Sequence, residues 1–83
     1  MAHGVTVALT AECASKGARD LVVKRILVAP GDRVVADELM LITEFYKVVT
    51  ELRAPEAGTI EKIHVARDDE VQVGDKLIDM RFG

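Results

Sequence analysis

Cysteine, aromatic residues and basic stretches are all scarce in this sequence. Cys13 is the single cysteine among 83 residues, so no disulfide can form within the chain and the fold depends on its apolar core. Tryptophan is absent, and only three residues are aromatic. The net charge of −3 is spread over interspersed acidic and basic residues. Because there is no basic stripe, nucleic acid is not an expected partner.

Long hydrophobic runs and the features of a secretory signal are also missing from this sequence. The apolar runs are far shorter than the roughly 20 residues of a membrane-spanning helix, so no membrane association is expected. Residues 1–7 have neither the basic start nor the apolar block of a secretory signal. We therefore expect a cytoplasmic location, with the mitochondrial matrix as the alternative if a leader has been removed.

The sequence has no grouping of residues that is typical of catalysis or metal binding. His3, Cys13 and His64 are far apart along the chain, and no metal-ligand spacing links them. There is no nucleophile–base pair and no glycine-rich loop for phosphate. An independent enzyme is the least favoured class of function.

An internal repeat organises the chain. The segment VKRILVAPGDRVVADELML at 23–41 aligns without a gap with IEKIHVARDDEVQVGDKLI at 60–78. The matched apolar positions largely alternate, as expected for strands with one buried face. The pairs include Val23 with Ile60, Val34 with Val71, and Met40 with Leu77.

The repeat predicts an all-β fold, because no stretch has an apolar 3.6-residue period long enough for a helix. The repeat halves, about 21–43 and 58–80, indicate two four-stranded antiparallel sheets in a flattened barrel or sandwich with approximate two-fold symmetry. We expect a single domain covering 1–83, with the bend at 45–47 at one end and the termini near the other. Strands are predicted at about 4–10, 21–28, 33–35, 38–43, 48–53, 58–65, 70–72 and 76–81.

Turn residues separate the strands in each half. The turn at 30–32 is Pro-Gly-Asp, in which Gly31 tolerates a positive φ. The matching turn at 67–69 is Arg-Asp-Asp and is expected to be looser because it has no glycine. Asp32 and Asp69 match across the repeat, so their carboxylates are expected to cap backbone N–H groups of the turns.

The sequence EFYKV at 44–48 joins two predicted strands at a hairpin tip, which is an exposed position. An exposed lysine is protonated at neutral pH and is a poor nucleophile, so Lys47 is not expected to form a Schiff base. The tip has no Asn-Gly, Asp-Gly or Gly-Gly pair. Since Phe45 and Tyr46 are adjacent, at least one of them is expected to meet solvent or a partner.

These motifs resemble the biotinyl/lipoyl attachment domain family, the carrier domains of 2-oxo acid dehydrogenase complexes and biotin-dependent carboxylases. The segment 29–65 contains, without a gap, the family's Gly-Asp-x-Val, Glu-x-x-Lys and Ala-Pro-x-x-Gly motifs, and DDEVQVGDKLIDM resembles its closing repeat. The resemblance covers the chain from about Val5 to Met80. It implies a barrel-sandwich hybrid in which Lys47 carries a prosthetic group in amide linkage.

The resemblance also implies which residues other proteins recognise. Lipoyl domains have a loop beside the lysine turn, and part of the loop at 11–20 is expected to have that role here. The other expected recognition residues are Gly31, Glu44, Phe45, Tyr46 and Val48.

The residues that flank Lys47 leave the type of prosthetic group open. Lipoyl domains typically have Asp before the lysine and Ala or Val after it, whereas biotinyl domains have Met on both sides. Val48 fits the lipoyl type, and Tyr46 fits neither. The chain also lacks the Ala-Pro-Met-x-Gly type entry and the thumb of biotinyl domains. Lipoate is therefore the favoured cofactor and biotin the alternative.

As a lipoyl domain, the chain would be a non-catalytic carrier that shuttles acyl groups and electrons on a swinging arm. The implied partners are a lipoate or biotin ligase and the thiamine-dependent dehydrogenase, acyltransferase and flavoprotein components of a complex. The domain itself is expected to be monomeric. Two alternatives stay open: a biotin carboxyl carrier domain, and an unmodified protein-binding module of the same fold.

Overall fold

The computed structural model describes residues 4–13 and 20–82 and is built from strands and turns. None of the described residues forms a helical segment that could span a membrane. The strand ends agree with the sequence-based placement to within two residues. The strands are β1 (Val5–Thr10), β2 (Leu21–Ile26), β3 (Arg33–Val34), β4 (Leu39–Phe45), β5 (Val48–Arg53), β6 (Gly58–Ile63), β7 (Glu70–Val71) and β8 (Lys76–Phe82).

The strands form two antiparallel sheets that are related by an approximate two-fold. The strand order is β1-β8-β6-β3 in one sheet and β5-β4-β2-β7 in the other. Exchanging β1 with β5, β2 with β6, β3 with β7 and β4 with β8 converts one order into the other. The predicted sandwich with internal two-fold symmetry is confirmed.

The core follows the repeat. Residues matched between the halves are buried in the same way, because alternate positions of each strand face the space between the sheets. Thr43 is the one buried polar side chain within 4–13 and 20–82, and it occupies the position that Met80 has in the other half. Buried matched pairs are Val23 with Ile60, Val34 with Val71, Met40 with Leu77, and Leu41 with Ile78.

Matching hydrogen bonds fix the turns of the two halves. Asp32 Oδ2 accepts a hydrogen bond from the N–H of Ala29, and Asp69 Oδ2 accepts one from Ala66, both at 2.8 Å. The predicted capping by these two carboxylates is present. The expectation of a looser second turn is wrong.

The second turn is as tight as the first because an aspartate replaces the glycine without changing the backbone. The φ angle is 94° at Gly31 and 74° at Asp68. The Gly31 N–H donates to the Ile60 carbonyl at 2.7 Å, and the Asp68 N–H donates to the Val23 carbonyl at 2.8 Å. Aspartate is among the few residues that enter the left-handed region readily.

The strand registers place the bend after β4 far from the ends of the described chain. From that bend β5 runs six residues away, a distance of about 20 Å. The connection 54–57 then leads to β6, where Thr59 pairs with Arg81 near the end of β8. Val5 pairs with Phe82 at the same end. The bend and the ends of the described chain therefore lie at opposite ends of the molecule, as predicted.

Changing the residue type at the two matched turns should shift stability in opposite directions. Gly31→Ala places a Cβ at φ 94°, where no atom beyond the two neighbouring residues lies within 4 Å, so backbone strain lowers the free energy of unfolding. That loss should be about 1 kcal/mol, whereas Asp68→Gly should gain about 0.5–1 kcal/mol. Equilibrium urea unfolding measures both changes, and a loss of stability in both variants would contradict the shared turn geometry.

Candidate functional site

The bend between β4 and β5 is a two-residue turn. The pairing of these strands runs up to Phe45 opposite Val48, so only Tyr46 and Lys47 remain to connect them. The sequence placed the end of β4 one or two residues earlier. The longer ladder leaves Lys47 at the outermost point of a short, closed hairpin.

Tyr46 has a backbone conformation that its side chain disfavours. Its φ is 53°, in the left-handed region, whereas Lys47 has no positive φ. A positive φ at the first loop residue alone is the pattern of a type II′ turn, which ordinarily has glycine at that position. A residue with a Cβ costs about 1–2 kcal/mol there, so the surrounding ladder holds Tyr46 in a strained state.

The two aromatic residues of the turn differ in burial. Phe45 is half-buried and packs against the core, whereas Tyr46 is 84% exposed. Their ring centroids are 4.7 Å apart at an interplanar angle of 69°, an edge-to-face contact. Such contacts stabilise by about 0.5–1.5 kcal/mol. Phe45 therefore connects the exposed ring of Tyr46 to the core, and the expectation that one ring meets solvent is met.

The amine of Lys47 is accessible. Lys47 is exposed, and no carboxylate within 4–13 or 20–82 forms an ion pair with it. A group joined to this amine through an amide bond needs no cavity in the protein, only an amine that a modifying enzyme can reach. The exposed amine of this turn therefore fits the attachment of a prosthetic group.

The predicted recognition residues lie at or beside the lysine turn, except for Gly31. Glu44 is half-buried, and its β5 partner in the ladder is Val49; Val48 is half-buried beside the lysine. Gly31 belongs to another turn, where its N–H is bonded to β6. The recognition roles of these residues stay predictions, and the structure assigns Gly31 a conformational role.

The loop at 11–20 is anchored at both ends by one turn of the other half. The Ala11 N–H donates to the Asp75 carbonyl at 2.9 Å. Gln72 Nε2 donates to Asp20 Oδ1 at 2.8 Å. Residues 14–19, which include part of the predicted recognition loop, lie outside the described residues. The Asp20–Gln72 pair was not predicted, because its one local signal in the sequence is an aspartate directly before β2.

An open groove lies beside the lysine turn. One wall is edge strand β5 from Val48 onward, and the other includes Glu12, Cys13 and Val73. The start of the loop at 11–20 therefore lies next to the strand that follows Lys47. In the described part of the chain no group of His, Cys, Asp and Glu residues is arranged to hold a metal ion.

The sequence model of the biotin/lipoyl family, described as "Biotin-requiring enzyme", matches residues 9–80. The chain belongs to this family. The match includes both halves of the repeat and the lysine turn between them. Carrier domains with covalently attached lipoate or biotin are a property of this family.

Relatives of both chemical types match the chain. It is 44% identical over 52 residues to the dihydrolipoyllysine-residue acetyltransferase component of the pyruvate dehydrogenase complex of Mycoplasma genitalium, covering 63% of this chain and 14% of that protein. It is 42% identical over 50 residues to the biotin carboxyl carrier protein of acetyl-CoA carboxylase of Chlamydia muridarum, covering 60% of this chain and 31% of that protein. The chain therefore spans less than a third of either relative.

A solved structure matches over nearly its whole length. The lipoyl domain of the 2-oxoglutarate dehydrogenase complex from Azotobacter vinelandii superposes with a TM-score of 0.79 and 30% identity. The alignment covers 93% of this chain and 98% of that domain. The biotinyl/lipoyl fold thus accounts for nearly all of this chain.

Two substitutions at Tyr46 should isolate the strain of the turn. Tyr46→Ala and Tyr46→Gly both remove the ring contact with Phe45, but only glycine relieves the φ of 53°. The glycine variant should therefore be more stable than the alanine variant by about 1 kcal/mol, the reverse of the usual order. Thermal unfolding followed by circular dichroism measures the difference. Equal stability, or a more stable alanine variant, contradicts the strained turn.

Proposed function

We propose that this chain acts as a carrier domain whose Lys47 amine is acylated by a prosthetic group, with lipoate favoured over biotin. One observation supports this most strongly: Lys47 is exposed in a two-residue turn at one end of the two-sheet sandwich. The chain supplies no residues for catalysis of its own in this proposal. Its role is to present the amine.

The residues around Lys47 fit the attachment of such a group. The β4–β5 ladder fixes the direction of the turn up to Phe45 and Val48, and Phe45 joins it to the core. Lipoate, when attached, would supply a redox-active disulfide ring on a flexible arm. Tethering to a fixed point raises the local concentration of an arm at a nearby site toward the millimolar range.

Two features favour lipoate. Val48 follows the lysine, as in the lipoyl type of the family. The connection 11–20 has ten residues, whereas its counterpart 54–57 has four, and Glu12 and Cys13 at its start line the groove beside the lysine turn, so it suits partner recognition. The partners proposed on this basis are a lipoate ligase and the thiamine-dependent, acyltransferase and flavoprotein components of a 2-oxo acid dehydrogenase complex.

Tyr46 favours a second candidate function, an unmodified module that docks a partner protein through its aromatic tip. Its ring is 84% exposed in a strained backbone position. Exposed aromatic residues are frequent anchors of protein interfaces. Biotin attachment at Lys47 is the remaining alternative within the carrier class.

Intact mass after co-expression with a lipoate ligase, and separately with a biotin ligase, distinguishes these functions. We expect a lipoyl mass increment that disappears in Lys47→Arg, because the arginine side chain has no amine to acylate. Lys62→Arg is the matched control: Lys62 is also exposed but lies within β6, so the increment should remain. A biotinyl increment alone would favour the biotin carrier, and an unmodified chain under both conditions would favour the docking module.

Changes beside Lys47 should redirect the modification. Tyr46→Asp restores the residue usual in lipoyl domains and places a residue that tolerates a positive φ at the strained position, so the lipoylation rate should rise. Tyr46→Met combined with Val48→Met should instead increase biotinylation. Both are measured as initial rates with purified ligase. A slower reaction of Tyr46→Asp, or a double variant inert to biotin ligase, would count against this interpretation of the flanking residues.

A further inference from the structure

We propose that the ring of Tyr46 is a resting surface for the arm that Lys47 carries. This inference rests on the proposed carrier function and extends it, because it assigns Tyr46 a ligand within the same molecule. The ligand is an alkyl chain that ends in a sulfur-containing ring, a chemistry that lipoyl and biotinyl groups share.

The strain at Tyr46 is the first observation behind this inference. A φ of 53° favours glycine, asparagine or aspartate, and any of these would close the same two-residue turn at lower cost. The turn therefore does not require an aromatic residue for its own formation. Backbone strain of this kind clusters at functional positions.

One orientation of the Tyr46 ring is favoured by its contact with Phe45. Phe45 packs against the core and contacts the Tyr46 ring edge to face, with 4.7 Å between centroids. Even so, Tyr46 is 84% exposed, so most of its surface is free to contact another group. A braced, exposed ring loses little conformational entropy when a second group binds to it.

The position of the ring matches the position of the arm. Tyr46 and Lys47 are the two residues of one turn, so an arm on the lysine begins beside the tyrosine. The two-fold relation offers a comparison: Phe82 is the counterpart of Phe45, and the residue after it is glycine. Within the sequence, adjacent aromatic residues therefore occur at the lysine end alone.

The chemistry of the arm suits an aromatic surface. The transfer of methylene groups out of water lowers the free energy, and sulfur atoms make favourable contacts with aromatic rings. A sulfur–aromatic contact of ordinary strength contributes a preference of roughly two- to tenfold for the folded-back arm, and the conformational entropy that the arm loses on folding back opposes it. That preference is large enough to be measured and weak enough for a partner enzyme to withdraw the arm.

Nuclear magnetic resonance of the modified chain tests this proposal directly. Tyr46 is the single tyrosine, so its ring signals can be assigned without overlap from other tyrosines. After modification, whose type is identified by the mass increment, we expect cross-relaxation between the Tyr46 ring protons and the arm, together with shifted ring signals. The ring of Phe82, at the far end of the molecule, is the internal control and should not shift.

Tyr46→Asn is the matched variant, because asparagine keeps the preference for a positive φ and removes the ring. In this variant the arm signals should return to the positions seen in the free lipoyl- or biotinyl-lysine derivative. A mass increment with no contact between ring and arm, or identical arm signals in both proteins, overturns this inference and leaves the carrier function intact. Absence of any mass increment overturns both.

Discussion

The pairing of Phe45 with Val48 is the constraint on which the site depends. Because the β4–β5 ladder continues to this pair, only two residues can close the hairpin. The short loop forces Tyr46 to a positive φ and leaves Lys47 exposed at the tip. A ladder ending two residues earlier would have produced a longer, more mobile loop, and the backbone of Lys47 would not have been held in one position.

The two-fold relation between the halves determines where the lysine turn lies in the whole molecule. Each strand of one half has a symmetry-related strand in the other half. The lysine turn and the ends of the described chain therefore lie at opposite ends of the molecule. A carrier domain needs this separation, because the chain can then be joined to a larger protein without covering the amine. The relation is broken between β1 and β2, which ten residues connect, whereas four residues connect β5 to β6.

The repeat in the sequence predicts the strands, the symmetry and most of the core, because a period of two directly reports which residues face inward. The capping by Asp32 and Asp69 also follows, since it acts over three residues. The strained φ of Tyr46 and the equal tightness of the Asp68 turn do not follow from residue type. The Asp20–Gln72 pair is not predictable either, because it joins residues 52 positions apart through side chains alone.

We propose that Lys47 carries a covalent group, because the hairpin geometry and the family both point to its amine. Peptide mapping by tandem mass spectrometry of the chain isolated from its native cells measures this most directly. We predict that the peptide containing Lys47 bears a lipoyl or biotinyl group on that lysine, with lipoyl favoured, and that the other lysines are unmodified. An unmodified Lys47 in all of the isolated protein would contradict the claim.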